Sequence, residues 1–420
     1  RQRKRAANIC TNGPRAEELW EPSAQHLHGL FQPYALAGAW AVAVLRDARL
    51  QLQSLAEEIG HRLPDFERVI YPDWESLLRA FNERAPKGAC LYLDECPNIV
   101  KVSPEFPSVL QKILDAPGER KTSYVLCGSS QRMMYGLVME ASQPLYGRAR
   151  EILKIRPLLP GWLRHGLGLE AIPAVESYAV WGGVPRYWEL GTEYAGLEQA
   201  IRALVFDRDG ILHQEPVRLL SDDMRTTGQS HSLLSLIGLG CHRLSEIAGR
   251  MGKPAGSLTR LLAQLSDLDY VKREIPFGES SKGGKRSYYR LQDPFLLFWY
   301  RFVLPFRSHL EMGVMDAAWQ HWQDQFSHHV GEIWEELARQ SVPFLETDGI
   351  RWGPAMRWWG PGDHGRSVEL DVVAESLDKQ HILLGEAKWS SEVDAGRVYQ
   401  KLEEQAGSVA VRDKEGKVRF

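Results

Sequence analysis

The segment ACLYLDE (89–95) constrains the fold more than any other stretch of this chain, because it is a short apolar run that stops abruptly on two acids. A helix-like stretch, PEFPSVLQKILDA, follows it, and then a second apolar run, SYVLCGSS (123–130), ends in small polar residues. Upstream, LQLQSLAEEIGHRL and Trp74 to Phe81 place apolar residues at helical spacing, and Ala85-Pro86-Lys87-Gly88 punctuates the join. Alternation of buried strand, helix and buried strand predicts an α/β unit with a parallel sheet. Leu91-Tyr92-Leu93-Asp94-Glu95 then sets two carboxylates at the C-terminal edge of that sheet. At such an edge an Asp can hold magnesium through water and a Glu can polarise an attacking water. The same string also describes a buried strand followed by a solvated acidic turn, so these residues alone leave both readings open.

The 420 residues are enough for two to four domains. A hydrophobic content of 44% with 25% charged residues is ordinary for globular protein with sizeable cores. The net charge of -3 supplies no global attraction to nucleic acid or anionic membrane, so any such binding needs a local patch. Five scattered cysteines, with no CxxC pair, argue against a disulfide framework or a zinc site and fit a reducing cytoplasm. The longest apolar run, Tyr34 to Leu45, is shorter than the roughly 20 residues of a spanning helix. It also lacks a cleavage signature, and no membrane association is expected. The start at Arg1 suggests a fragment or a processed product.

Residues 1–48 differ from the rest: RQRKRAANIC has neither helical nor strand periodicity, and regular patterning begins near Leu50. Residues 151–230 read as mostly helical around WGGVPRYWE (181–189). From 231 to 291 come a helix, SEIAGRMG, a turn at Lys253-Pro254, SLTRLLAQLSDL and two short strands, YVKREIPF and RSYYRLQ. That series predicts a winged helix-turn-helix. Aromatic-rich helices follow (FLLFWYRFV), and from about 324 a final α/β unit is expected as helix, hairpin and helix.

Taken in order, LYLDECPNI, PEFPSVLQKIL, YVLCGSS, PLYGR (144–148) and WGGVPRY (181–187) resemble the archaeal-type P-loop ATPases of the AAA/STAND group. The resemblance runs over about residues 50–420. It implies that Asp94 and Glu95 are Walker B acids, with ATP and Mg as cofactors. It further implies that Ser129 and Ser130 end the sensor strand, that Arg148 senses phosphate, and that WGGVP packs a helical lid with Arg186 as a second sensor. The plain alternative for Arg148 and Arg186 is a structural ion pair.

One departure outweighs these matches. The family carries GxxxxGK[ST] after its first strand, where backbone N–H groups at a helix start and a lysine hold the phosphates. No such run exists here, and the nearest string, Gly278 to Lys285, has one residue too many and precedes a strand. Residues 1–48 are therefore expected to be an unmatched, corrupted or out-of-frame remnant, and ATP binding and hydrolysis to be impaired.

Two other segments carry chemistry. Residues 241–291 hold ten Lys/Arg against five Asp/Glu, a local charge of +5. Ser257, Thr259 and Arg260 on the recognition helix and Lys282, Lys285 and Arg286 on the wing are candidates for duplex DNA contact. The competing reading is a winged helix that packs as a signalling lid.

The segment SVELDVVAESLDKQHILLGEAKWS (367–390) reads as strand, turn and strand, with the triplet Glu386-Ala387-Lys388. A turn centred on Asp378-Lys379 sets Asp371 opposite Glu386 and Glu369 opposite Lys388, with Cβ atoms about 4.5–5.5 Å apart. Two carboxylates at that distance repel unless a cation bridges them, which makes a natural Mg²⁺ site beside a phosphate-polarising lysine. The hairpin resembles the PD-(D/E)xK phosphodiesterase core, whose helix glutamate would be Glu335 in GEIWEEL, and Trp389 follows the lysine as in relatives. A salt-bridged hairpin is the alternative. His328-His329 and the many tryptophans read as helix packing.

The expected fold class is α/β: a truncated P-loop ATPase αβα core (49–160), helical lid (161–230), winged helix-turn-helix (231–292), linking helices (293–323) and a PD-(D/E)xK-like domain (324–420). Three functions stay open. They are an ATPase relative with impaired nucleotide chemistry, a Mg-dependent nuclease, and a non-enzymatic DNA-binding adaptor.

Overall fold

The computed structural model describes residues 38–42, 47–117, 122–128, 130–224, 227–280, 286–361, 367–406 and 418–419. Ser129, Lys282, Lys285 and most of the 1–48 segment lie outside them. The chain is mixed α/β and divides into two compact units, which meet in sequence between Ile155 and Arg156.

The first unit is built on three parallel strands in the order β1 (Gly38–Val42), β2 (Ala89–Asp94), β3 (Thr122–Leu126). β2 is central, pairing Gly38 to Val42 with Cys90 to Asp94 on one side and Thr122 to Leu126 with Ala89 to Leu93 on the other. Its residues Ala89 to Leu93 are all buried, which is why the sequence shows an unbroken apolar run rather than an alternation. Within the 1–48 segment, GAWAV is a strand in register with β2, and α1 (Ala48–Gly60) begins at its end. A five-residue strand carries too little periodicity to stand out from its Gly- and Ala-rich surroundings.

α1, α2 (Trp74–Arg84), α3 (Cys96–Val102) and α4 (Phe106–Asp115) supply the apolar cover, with Leu52, Ile59, Leu77, Phe81 and Leu110 in one core. Trp74 and Phe106 meet edge to face at 5.0 Å. Asp73 fixes the start of α2 by accepting from the Ser76 N–H at 2.7 Å, a cap contributing about 1 kcal/mol.

The second unit opens with α6 (Pro160–Leu167), α7 (Ala171–Trp181), α8 (Pro185–Thr192), α9 (Leu197–Ile201) and α10 (Glu215–Asp223), α5 (Gln131–Met139) having closed the first. The WGGVP segment forms the tight corner between α7 and α8. Gly182 has φ +60°, its carbonyl accepts from Trp188 Nε1 at 2.7 Å, and the Gly183 carbonyl accepts from the Leu158 N–H at 2.8 Å. Helices α11 (Thr227–Gly238), α12 (Leu244–Met251) and α13 (Ala255–Asp267) lead into an antiparallel ribbon, β4 (Val271–Glu274) with β5 (Tyr288–Leu291).

α14 (Pro294–Phe302) buries seven of its residues, so it lies at the centre of the helical core, as a helix apolar at nearly every position must. The short α15 (Arg307–Glu311) precedes α16 (Asp316–Ser341), 26 residues long. His329 on α16 is fully buried, donating from Nε2 to the Ala179 carbonyl at 2.8 Å and accepting from Arg301 at Nδ1. Burial pushes its imidazole down to about 3, so it packs as a neutral core residue.

Beyond the small pair β6 (Glu346–Thr347) and β7 (Ile350–Arg351), four strands form the C-terminal sheet in the order β11–β10–β9–β8. β8 (Met356–Pro361), β9 (Ser367–Glu375) and β10 (Ile382–Gly385) are antiparallel neighbours, and β11 (Val418–Arg419) pairs parallel to β10. Beyond the β9–β10 hairpin that the sequence suggests, β8, with the buried Trp358 and Trp359, adds a strand before it. α17 (Ala395–Ala406) covers the sheet through Leu402. Among the described residues no helix is long and apolar enough to cross a membrane.

Candidate functional sites

At the edge of the first unit β2 stops at Asp94, whose Oδ1 accepts the Glu95 N–H at 2.9 Å. Glu95 takes the left-handed conformation (φ 50°, ψ 40°), an arrangement costing a non-glycine residue on the order of 1 kcal/mol. The ends of β2 and β3 are laced together: the Cys96 N–H donates to the Cys127 carbonyl and the Cys127 N–H to Leu93, each at 2.9 Å. A Cβ on Gly128 would strike Pro97 Cδ and Met134 Sδ, so only glycine lets this edge close. Ser130 caps α5, accepting weakly from the Met133 N–H at 3.4 Å.

The two sensor candidates are both ion-paired. Arg148 grips Asp115 at the end of α4 with Nε and Nη2 (3.0 and 2.7 Å) and donates from Nη1 to the Pro144 and Tyr146 carbonyls. Its guanidinium thus closes the 144–148 turn. Arg186 meets Glu189 at 3.1 Å on the exposed side of α8, a surface pair worth little. Each of the two arginines thus has a carboxylate partner within its own unit.

The second acidic centre is assembled from four elements. Along β9–β10 the register runs Glu375–Ile382 to Val372–Gly385, the alignment the turn at Asp378-Lys379 requires. Asp371 and Glu386 come next in that register, just past the end of β10. Asp371 is 8% exposed, and its Oδ2 accepts the Ala387 N–H at 3.0 Å. The expected Glu369–Lys388 pair is not made. The ladder has ended by then, Glu369 lies opposite Trp359 on β8 with its carboxylate against Arg357, and Lys388 turns to Glu386 at 2.7 Å.

The Glu386 side chain is also enclosed, only 4% exposed. Its Oε1 accepts from both Lys388 and, from α17, Lys401 at 2.9 Å, while Oε2 is buried with no hydrogen-bond partner. Glu335 faces this group from α16, beside Arg339, which donates to the Asp371 carbonyl at 2.9 Å and pairs with Glu336. Trp389 packs against Trp334 at 5.8 Å, fixing the chain after Lys388 to the helix that carries Glu335.

The electrostatics follow from this crowding. Burial, reinforced by the Asp371 charge, pushes Glu335 up to about 7. Burial and then Glu386 raise Asp371. Burial also opposes ionisation of Glu386, but hydrogen bonds from Lys388 and Lys401 outweigh it and hold that carboxyl below its usual range. Lys388 is raised, since Glu386, Asp371 and Glu335 together overcome the cost of burying its ammonium. Among the described residues no three His, Cys, Asp or Glu side chains form a ready-made metal cage. The donor set instead suits Mg²⁺, which commonly takes one or two carboxylates and completes its shell with water and phosphate oxygens. The unpartnered Glu386 Oε2 and the mutually repelling Asp371 and Glu335 fit that requirement.

The basic segment before β5 is differently disposed. Ser257 and Thr259 on α13 donate back to the Pro254 and Gly256 carbonyls at 2.7 and 2.8 Å, while Arg260 is exposed. Arg286 is engaged with Glu279 and the Trp359 carbonyl. Tyr288 stacks on Trp359 at 4.5 Å with rings 7° apart, the Phe277 N–H donates to the Arg357 carbonyl, and Lys272 meets Glu336. The ribbon is thereby fastened to β8 and α16. Lys401, Arg339 and Arg357 went unnoticed in the sequence, because each acts on a partner brought near only by the tertiary fold.

Residues 299–400 match the model of a family described as archaea bacterial proteins of unknown function. An uncharacterized protein of Methanocaldococcus jannaschii is 28% identical over 357 residues, covering 82% of this chain and 76% of that protein. Among solved structures, a Walker-type ATPase of Pyrococcus abyssi aligns over 63% of this chain and 84% of its own, with 15% identity and a TM-score of 0.48. The ORC1 protein of Aeropyrum pernix in complex with DNA covers 68% and 83%, with 16% identity and a TM-score of 0.26. A RuvB variant of Thermotoga maritima covers 63% and 93%, with 15% identity and a TM-score of 0.28. All three scores are below 0.5, so the chemistry has to be read from this chain's own residues.

Proposed function

We propose that this chain is a divalent-cation-dependent phosphodiesterase acting on DNA through its C-terminal centre, carried on an archaeal-type AAA/STAND scaffold whose nucleotide chemistry is impaired. The supporting observation is the convergence of Glu335, Asp371, Glu386 and Lys388 from α16, β9 and the end of β10. On this reading the unit from α16 onward is a PD-(D/E)xK-like domain and residues 231–292 a winged helix. Asp371 and Glu386, with Glu335 beside them, would hold Mg²⁺. When bound, that ion supplies a Lewis acid for the phosphoryl oxygen and a water of lowered pKa. Lys388, kept protonated by its carboxylate neighbours, offers a fixed positive charge to the phosphate, and the enclosed Glu386 keeps that ammonium in place. Nicking of plasmid DNA is expected in Mg²⁺ and not in EDTA, with Asp371→Asn reducing the rate by about 100-fold or more. Equal nicking by the parent and Asp371→Asn would remove this reading.

The edge at Asp94 and Glu95 supports a second reading, in which these acids remain a Walker B pair in a core that once held Mg–ATP. Two acids at the C-terminal end of a central parallel strand suit it, since ligands of open α/β sheets bind at that edge. The sequence offers no glycine-rich phosphate loop, so calorimetric titration is expected to show no ATP binding. Micromolar binding that disappears in Asp94→Ala would show that nucleotide binding survives.

A further inference from the structure

α17 presents two rows of residues to different surroundings. Val398, Leu402 and Ala406 pack on the sheet core with Leu370, Val373 and Leu384. Arg397 and Lys401, four residues apart, share an adjacent row, and both are exposed. Asp394 already closes the start of this helix, its carboxylate accepting the Arg397 N–H and its carbonyl the Val398 N–H, each at 3.1 Å. Any attraction for an anion here therefore comes from the side chains. Lys401 and Lys388 converge on the same oxygen of Glu386, at 2.9 and 2.7 Å, yet their side chains remain 51% and 46% exposed. One oxygen uses a single donor from each ammonium, which has three. Each ammonium thus keeps unused donors while remaining about half exposed, and Arg397 extends this row of cations along the helix.

We infer that Arg397 and Lys401 form a track for the sugar–phosphate backbone, holding the phosphates that adjoin the one bound at Glu386 and Lys388. The inference rests on the phosphodiesterase reading and deepens it: the substrate is a polynucleotide strand gripped on both sides of the scissile bond, not an isolated phosphodiester. Lys401 is in this sense a substrate-binding residue, and Arg397 fixes the direction in which the strand leaves the site.

The test is metal-free binding of fluorescent single-stranded and duplex oligonucleotides to the full chain in EDTA, titrated over a range of NaCl. Removing one phosphate contact lowers the slope of log affinity against log salt by about 0.7 for a single strand and about 0.9 for duplex. Lys401→Ala and Arg397→Ala are each expected to lose one such increment, their double variant two, and Lys401→Arg to keep the parent slope. Unchanged slopes in both alanine variants would overturn the track. So would loss of slope confined to Arg260→Ala, which would put the nucleic acid on α13 instead. If the parent chain binds neither oligonucleotide even at low salt, the phosphodiesterase reading falls with the track. If it nicks DNA while both slopes stay unchanged, the track alone falls.

Discussion

Glu335→Gln is expected to leave the protein more stable at pH 8 and nearly inactive toward DNA. The two effects have one cause. Burial and the neighbouring Asp371 raise the carboxyl to about 7, above its value of about 4.5 in an unfolded chain. With a raised folded pKa, the group's favourable contribution is complete below the unfolded value and is lost as pH climbs through about 7. At pH 8 the folded state therefore carries an ionised, repelled carboxylate, and an isosteric amide relieves on the order of 1–3 kcal/mol. The gain in Tm should shrink as pH falls and vanish near pH 4, where parent and variant are both uncharged at this position. Cleavage moves the other way. A cation must compete with the proton on Glu335 below about 7, so parent activity should rise between pH 6 and 8, and Glu335→Gln should lose about 100-fold. A variant as active as the parent, or destabilised equally at pH 5 and pH 8, would remove Glu335 from the centre.

Gly183→Ala is expected to destabilise the chain by about 3 kcal/mol or more, lowering Tm by several degrees. The Gly183 carbonyl accepts the Leu158 N–H at 2.8 Å, and the two backbones lie so close that an added Cβ would sit 2.6 Å from Pro157 Cβ and 2.7 Å from Leu158 N. Backbone cannot rotate away as a long side chain can, so either that hydrogen bond or the corner between α7 and α8 must open. Gly256, within α13, is the control: a Cβ there meets nothing, and alanine in a helix is favoured by up to about 1 kcal/mol. Thermal unfolding of the two variants should move in opposite directions, and a Gly183→Ala protein as stable as the parent would refute the packing argument.

What was legible in the sequence had local periodicity. β2 was visible because a strand covered on both faces has nothing polar in it until its end, at Asp94. The β9–β10 register was readable because one turn fixes every pair behind it. Most of the illegible features are long-range. Nothing near Arg148 announces Asp115, 33 residues away, and nothing near Glu386 announces Lys401 on the next helix. The Glu369–Lys388 pair failed for a related reason: extrapolating the hairpin assumed that both strands continue, whereas β10 ends at Gly385. β1 was hidden by its brevity, and the need for Gly183 in WGGVP lies in the Pro157–Leu158 backbone more than twenty residues upstream, whereas Gly182 answers to its own φ of +60°.

The docking of the β4–β5 ribbon onto β8 bears on how this protein can be dissected. A fragment begun at residue 324, where the sequence suggests a domain boundary, would strip Tyr288 from the face of Trp359 and take Lys272 from Glu336 and Glu274 from Arg357. It would keep the acidic centre but leave an aromatic surface bare and Arg357, 8% exposed in the intact unit, without one of its counter-charges. Such a truncation is expected to be recovered as insoluble or sticky material, and its inactivity would say nothing about the chemistry of Glu386 and Lys388. The smallest piece whose behaviour can be interpreted therefore begins near Arg156 and keeps the helices, the ribbon and the sheet together.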